Sequence, residues 1–128
     1  MSKYKYVGEY EIRASKKMLY PYLSTASGLA QWFADDVNID EDKVFTIIWD
    51  GDENRARMVS HRTNSQVKFE FISDDEDDPN YVEFKVDMNE LTQSVFIRVT
   101  DYSEMDDVQE LEDLWESLMT NLREIVGG

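Results

Sequence analysis

The residues able to do acid-base or metal chemistry in this sequence are almost all carboxylic acids. The chain has 128 residues with 28 aspartates and glutamates, 13 lysines and arginines, one histidine (His61) and no cysteine. Thiol catalysis, disulfides and thiolate metal sites are therefore excluded, and one histidine cannot supply a multi-histidine metal site or a conventional catalytic triad. We identify no catalytic residue and no cofactor, and we interpret His61 as a solvated strand residue or a lone polar group in a cavity.

The carboxylates cluster in short segments, but none of these has the spacing of a metal site. The run Asp74 to Asp78 lacks the alternating oxygen ligands and distal glutamate of a calcium loop, so we interpret it as a solvated hairpin loop. The segment Asp50-Gly51-Asp52 has the residue types of a tight turn. Arg55 and Arg57 share a strand face and could bind an acidic group, although pairing with the surplus carboxylates is favoured.

Composition limits the partners and the compartment. A formal net charge of -15 opposes binding to nucleic acids and anionic membrane surfaces and favours a monomer. No segment is apolar enough to cross a membrane, and the first residues lack the apolar core of a signal peptide, so a cytoplasmic protein is expected. The length and a hydrophobic content of 41% suit a single domain over residues 1–128.

The elements that must position any site begin with a set of strands. Alternating apolar and polar residues predict strands with one buried face, joined by connections short enough for an antiparallel meander. Gly8 indicates a bulge or a close approach within the first strand. The predicted strands cover residues 3–12, 44–49, 55–62, 66–72, 81–88 and 93–100.

Two short helices are predicted after the first strand. Ser15 is the expected cap of a helix over residues 16–23, which Pro21 keeps short or kinked. Thr25 is the expected cap of a second helix, which places Leu29, Trp32 and Phe33 on one face and ends at Asp35 and Asp36.

A long amphipathic helix is predicted over residues 104–126. Its apolar stripe includes Leu111, Leu114, Trp115 and Leu118, and its other face is strongly acidic. Ser103 with Asp106 resembles a capping pattern, and Gly127-Gly128 ends the helix.

Two segments carry a resemblance to a known family. Residues 20–37, which contain the Trp32-Phe33 pair, and residues 111–118 resemble the START-like (SRPBCC, helix-grip) superfamily, and within it proteins similar to activators of the heat-shock protein 90 ATPase. The resemblance implies an α+β helix-grip fold, in which a curved antiparallel sheet with two short helices grips a long C-terminal helix. In many relatives the cavity between sheet and helix holds an apolar or amphipathic small molecule.

The resemblance implies a non-catalytic protein that binds a small apolar ligand, lipid-like or polyketide-like, in such a cavity. An alternative is a co-chaperone-like module that meets a protein partner through the acidic face of the last helix. Cyclase or hydrolase activity has the least support, because no nucleophile-base pair is found. Plain core is the favoured interpretation of each candidate lining residue taken singly, and the candidates are Trp32, Phe33, Trp49, Met58, Phe69, Phe71, Phe84, Ile97, Trp115 and Met119.

Overall fold

The fold is a seven-stranded antiparallel sheet covered on one face by three helices. A computed structural model describes residues 3–73 and 77–127. The strands follow the spatial order β1-β7-β6-β5-β4-β3-β2, so nearly every strand pairs with its neighbour in sequence and β7 returns beside β1. The elements are β1 (Tyr4–Ile12), α1 (Lys16–Ser24), α2 (Ala26–Leu29), β2 (Asp36–Ile39), β3 (Val44–Trp49), β4 (Asp52–Arg62), β5 (Gln66–Phe71), β6 (Tyr81–Asn89), β7 (Ser94–Ser103) and α3 (Val108–Val126). This architecture confirms the predicted α+β helix-grip fold.

The predicted turn between β3 and β4 is a two-residue hairpin loop. Trp49 pairs with Asp52, which leaves Asp50 and Gly51 at the tip with φ angles of 50° and 84°. Two consecutive positive φ values give the turn the twist that matches its flanking strands. The sequence prediction at this point is confirmed.

Gly8 allows a close approach and not a bulge. The pairing of β1 with β7 runs without a shift from Tyr4 to Ile12. A Cβ on Gly8 would lie 2.8 Å from the hydroxyl oxygens of both Tyr6 and Tyr10, which are hydrogen-bonded to each other at 2.7 Å. The missing side chain therefore makes room for the tyrosine pair.

The two short helices start at the predicted caps. The Ser15 hydroxyl accepts the Met18 amide at 3.0 Å, and the Thr25 hydroxyl accepts the Gly28 amide at 3.0 Å. Each hydroxyl thereby pairs one of the amides left open at a helix start.

The predicted extent of the second helix is wrong. It ends at Leu29, so Trp32 and Phe33 lie in the turns that follow it, although both are buried. Asp36 does not end a helix but begins β2, an edge strand of four residues that the sequence reading missed. With one inward apolar residue, Val37, this strand has too little alternation to be detected.

The long helix begins later than predicted. It starts at Val108, and its cap is Asp107, whose carboxylate accepts the Glu110 amide at 3.1 Å. Ser103 is the last residue of β7, so the capping pattern predicted from Ser103 and Asp106 is wrong. At the other end Gly127 has a φ of 82° and closes the helix as predicted.

The buried core lies between the inner face of the sheet and the helices. Phe69, Phe84 and Ile97 project from the sheet there and have no exposed surface, and neither has Met119 of α3. The helix α3 packs mainly against β1, where the Arg123 side chain donates from Nε to the Glu11 carbonyl at 3.1 Å. The first half of α3 lies over the other end of the sheet, where β7 finishes and Asp101 accepts the Trp115 indole N–H.

Candidate functional site

A cleft of about 880 Å³ opens at the end of the sheet where β3, β5 and β7 finish and β4 and β6 begin. The first half of α3 forms the wall that faces these strands. Most of the lining surface is apolar, which is typical of small-molecule sites. The apolar lining residues are Phe33, Trp49, Phe71, Ile72, Val82, Met105, Leu111, Leu114, Trp115 and Leu118.

Four aromatic rings form one continuous wall of the cleft. The Phe33 ring centroid lies 5.2 Å from that of Trp49 and 5.9 Å from that of Trp115, and Trp49 lies 6.3 Å from Phe71. The indole N–H of Trp49 donates to the Phe33 carbonyl at 2.7 Å, which fixes that ring against the turn after α2. The aromatic wall, Phe33-Trp49-Phe71-Trp115, is therefore held in place before any ligand arrives.

Asp101 contributes a carboxylate to this largely apolar cleft. It follows Val95, Ile97 and Val99 on the inner face of β7, and its Oδ2 accepts the indole N–H of Trp115 at 2.9 Å. Burial raises the pKa of Asp101, and the hydrogen bond from Trp115 offsets only part of that effect. The bond ties the first half of α3 to the sheet and places a polar group beside the aromatic wall.

Apolar side chains also remain exposed around the mouth of the cleft. Leu114 on α3 is 47% exposed, and Ile72 and Met105 are exposed to a similar degree. All three line the cleft, and they come from three different segments. A ligand that covered them would remove apolar surface from water, which favours binding.

The polar groups at the rim are largely engaged with one another. The Arg55 guanidinium lies 3.8 Å from the Asp40 carboxylate, as predicted for an arginine amid surplus acids. The Asn80 amide donates to Glu104 at 2.9 Å, and this bond holds the pKa of Glu104 below its usual value.

The predicted lining residues divide between this cleft and the core. Phe33, Trp49, Phe71 and Trp115 line the cleft, and of these Phe33 and Trp115 also belong to the buried core. Trp32, Phe69, Phe84, Ile97 and Met119 are buried in the core and are not among the lining residues, and Met58 is partly buried against that core. The structure thus brings four of the ten candidates together, and a ligand-binding role for any of them stays a prediction.

Sequence reasoning missed Asp101, Val82 and the α3 leucines as lining residues. The signal for Asp101 was present, because the alternation Val95-Ile97-Val99 continues into it and places an acid at an inward position. Leu111, Leu114 and Leu118 were assigned to the stripe of the last helix, but the space beneath that stripe is a property of the tertiary fold.

The other candidate groups lie outside the cleft. His61 is exposed on β4, opposite Val67 of β5. Of the acidic run, residues 74–76 lie outside the described part of the chain, while the Asp78 carboxylate accepts the Tyr102 hydroxyl at 2.9 Å. Within residues 3–73 and 77–127, no group of three or more histidine, aspartate or glutamate side chains is arranged to hold a metal ion. In the same ranges, no helix has the length and apolar character needed to cross a bilayer.

Comparisons with known proteins identify the superfamily to which this sequence and fold are similar. The sequence profile of the START-like superfamily domain matches residues 1–128. A solution structure of the protein BfR322 from Bacteroides fragilis is 36% identical, covers 98% of this chain and 92% of its own, and has a TM-score of 0.66. No curated protein gave a significant match.

Two more distant structures share the fold. The Aha1 dimer from Colwellia psychrerythraea is 16% identical, with a TM-score of 0.75 and 96% of each chain covered. DynU16, a protein in the dynemicin biosynthetic locus, is 12% identical, with a TM-score of 0.73, and 94% of this chain aligns with 46% of that one. At these identities the likeness shows the fold alone, and it agrees with the START-like resemblance of residues 20–37 and 111–118.

Proposed function

The chain belongs to the START-like superfamily, whose members often bind hydrophobic ligands, and from that premise we propose that it binds a small apolar or amphipathic molecule in the cleft beneath the first half of α3. The carrying observation is the cleft of about 880 Å³ with its aromatic wall. Small-molecule sites commonly enclose about 300–1,000 Å³ and combine apolar walls with a few polar groups. The Asp101 carboxylate would orient a ligand within an otherwise largely apolar cleft.

The cleft supports a binding role and not a catalytic one. Among the described residues that line it, there is no histidine or lysine to act as a general base. The Asp101 carboxylate accepts a hydrogen bond from the Trp115 indole, which is a donor only and does not titrate in the physiological pH range. We therefore propose that a bound molecule leaves chemically unchanged.

A titration with the neutral fluorescent probe N-phenyl-1-naphthylamine tests this proposal. Binding to the apolar cleft should raise probe emission, and Trp49 and Trp115 should show the largest indole chemical-shift changes. The variant Leu114→Asp places a charge at the mouth and should weaken probe binding by about tenfold or more, because an apolar contact is replaced by a carboxylate that must stay hydrated. Leu114 is 47% exposed, so the variant should still fold.

Leu91→Asp is the matched control. Leu91 is 95% exposed in the β6–β7 turn, far from the cleft, and the substitution adds the same charge to the protein. Probe affinity should be unchanged in this variant. Equal affinities in the two variants, or absence of probe binding to the wild-type chain, would refute the proposed function.

A second candidate function is a protein-interaction module on the acidic face of α3. Its supporting observation is that Val108 and Leu114 are exposed on the same helix as Glu110, Asp113 and Glu116, so that an apolar contact and negative charge occur together. Such a surface would meet a basic partner in a salt-sensitive manner. If partner capture on a column of the immobilised chain is the same at low and at high salt, this candidate fails.

A further inference from the structure

The charged groups around the cleft are mostly acidic. Asp50, Glu53 and Asp101 line it, and Arg55 is the one base among the described lining residues. The Arg55 guanidinium is next to Asp40 at 3.8 Å and more than half exposed, so its charge is already paired and directed to solvent. The electrostatic potential within the cleft is therefore negative.

Lys3, a base close to the cleft residue Tyr102, is also paired. The Lys3 ammonium donates to the Asp78 carbonyl, lies 3.8 Å from the Asp78 carboxylate and lies 3.9 Å from that of Glu104. It stands over the Tyr102 ring at 5.6 Å from the centroid and is not part of the cleft lining. Lys3 thus offers no free positive charge to an anionic ligand.

Asp101 forms no ion pair within the part of the chain that the structure describes. The one hydrogen bond that its side chain makes among the described residues comes from the neutral Trp115 indole. Partial burial raises the free energy of the ionised Asp101 carboxylate, and a cation beside it would offset that desolvation cost. The pKa of Asp101 is raised for the same reason.

The start of α3 does not provide an anion site. The positive end of a helix dipole attracts anions, but the Asp107 carboxylate already caps this one and accepts the Glu110 amide. The faces of electron-rich rings, by contrast, attract cations. In the aromatic wall, Trp49 and Phe71 are the partly exposed rings, while Phe33 and Trp115 are buried. The aromatic wall and Asp101 therefore favour the same sign of ligand charge.

We propose that the cleft selects cationic amphipathic molecules, in which an apolar body packs on the aromatic wall and an ammonium group pairs with the Asp101 carboxylate. This inference rests on the proposed ligand-binding function and names the chemical class of the ligand. Anionic amphiphiles such as fatty acids are disfavoured by the same geometry.

Three probes with one naphthalene body test the preference at pH 7: 1-naphthylmethylamine, 1-naphthalenemethanol and 1-naphthoate, which carry a positive, a neutral and a negative head group. Chemical-shift titration of the Trp49 and Trp115 indole signals gives each Kd. The amine should bind at least about tenfold more tightly than the alcohol, because a hydrogen bond to a charged group exceeds a neutral one by that order. The carboxylate should bind weakest.

Asp101→Asn separates the local carboxylate from the overall charge. Asparagine keeps an oxygen that can accept the Trp115 N–H, so the fold should persist, but the amine should lose about tenfold in affinity while the alcohol changes less than about twofold. Glu41→Gln is the matched control, since it removes one negative charge from the exposed β2–β3 turn at the far end of β3. The preference for the amine should survive in that control.

The outcomes distinguish this inference from the function on which it rests. Selectivity for the amine that disappears in Asp101→Asn and persists in Glu41→Gln supports it. Equal or tighter binding of the alcohol or carboxylate, or a preference that survives Asp101→Asn, overturns the inference and leaves ligand binding intact. Absence of binding by all three probes and by the neutral probe above overturns both.

Discussion

Gly28→Ala gives a sharp test of how the turn that carries Trp32 and Phe33 is held. A Cβ at Gly28 would lie 2.7 Å from the Tyr22 Cα and well inside contact distance of the Pro21 carbonyl, so α2 would have to move away from α1. That movement would also strain the Thr25 cap and the bond from the Trp32 indole to the Tyr22 carbonyl, which is 2.8 Å long.

The sign of the effect is informative because two principles oppose each other. Alanine is favoured over glycine within a helix by about 1 kcal/mol, so local propensity alone predicts a more stable protein. Forcing a methyl group into a packed contact typically costs about 1–3 kcal/mol, and a weakened cap adds about 1 kcal/mol. With the strained indole bond included, we expect a net loss of about 2–4 kcal/mol in the free energy of unfolding.

Urea denaturation followed by tryptophan fluorescence measures this loss. Gly51→Ala is the matched control: its φ is 84° and no atom lies within 4 Å of the added Cβ, so only backbone strain of about 1 kcal/mol should appear. If Gly28→Ala is stabilised, or is destabilised no more than Gly51→Ala, then α1 and α2 are not packed as closely as described.

Two further measurements examine the core and the buried carboxylate. Met119 is fully buried on the inner face of α3, so Met119→Ala should cost about 2–5 kcal/mol in urea denaturation. Leu114→Ala at the cleft mouth should cost under about 1 kcal/mol, and similar losses in the two variants would mean that the first half of α3 is as tightly packed as the second. Because the pKa of Asp101 is raised in the folded state, the fold binds that proton more tightly than the unfolded chain does, and the Asp101 contribution to stability grows as pH falls from neutral toward its usual pKa near 3.8. The stability of the wild-type chain relative to Asp101→Asn should therefore rise from pH 7 to pH 4, and a difference that does not vary with pH would contradict the burial of this carboxylate.

Local chemistry explains why much of the fold could be predicted from the sequence. Ser15 and Thr25 are caps in the structure because a hydroxyl before an apolar helical pattern has an open amide to accept. Asp50-Gly51 forms its turn because those residues tolerate positive φ. The strand β2 was missed because it is held by pairing with β3, a tertiary contact that leaves little trace in four residues.

Alternation of apolar residues predicts which face of a strand points inward, but it does not predict which elements pack over that face. Phe69 and Phe71 alternate on the same face of β5, yet Phe69 is sealed in the core and Phe71 lines the cleft. The difference arises because the helices cover one end of the sheet more closely than the other. The sequence alone therefore predicts which aromatic residues point inward, but it does not distinguish those in the closed core from those that line the cleft.

The error in the start of the last helix and the missed carboxylate have the same cause. A helix beginning at residue 104 leaves a strand that ends at Thr100, which assigns Asp101 to a connecting loop. In the structure β7 runs on to Ser103, paired with β1 and β6, and Asp101 is part of the sheet opposite Tyr6 and Val82. The later start of α3 leaves residues 104–107 to span the cleft edge, where Met105 joins the lining. Because α3 starts at residue 108 and not at 104, β7 can extend to Ser103. That extension places the Asp101 carboxylate beside the aromatic wall, and the proposed selection of ligands depends on this carboxylate.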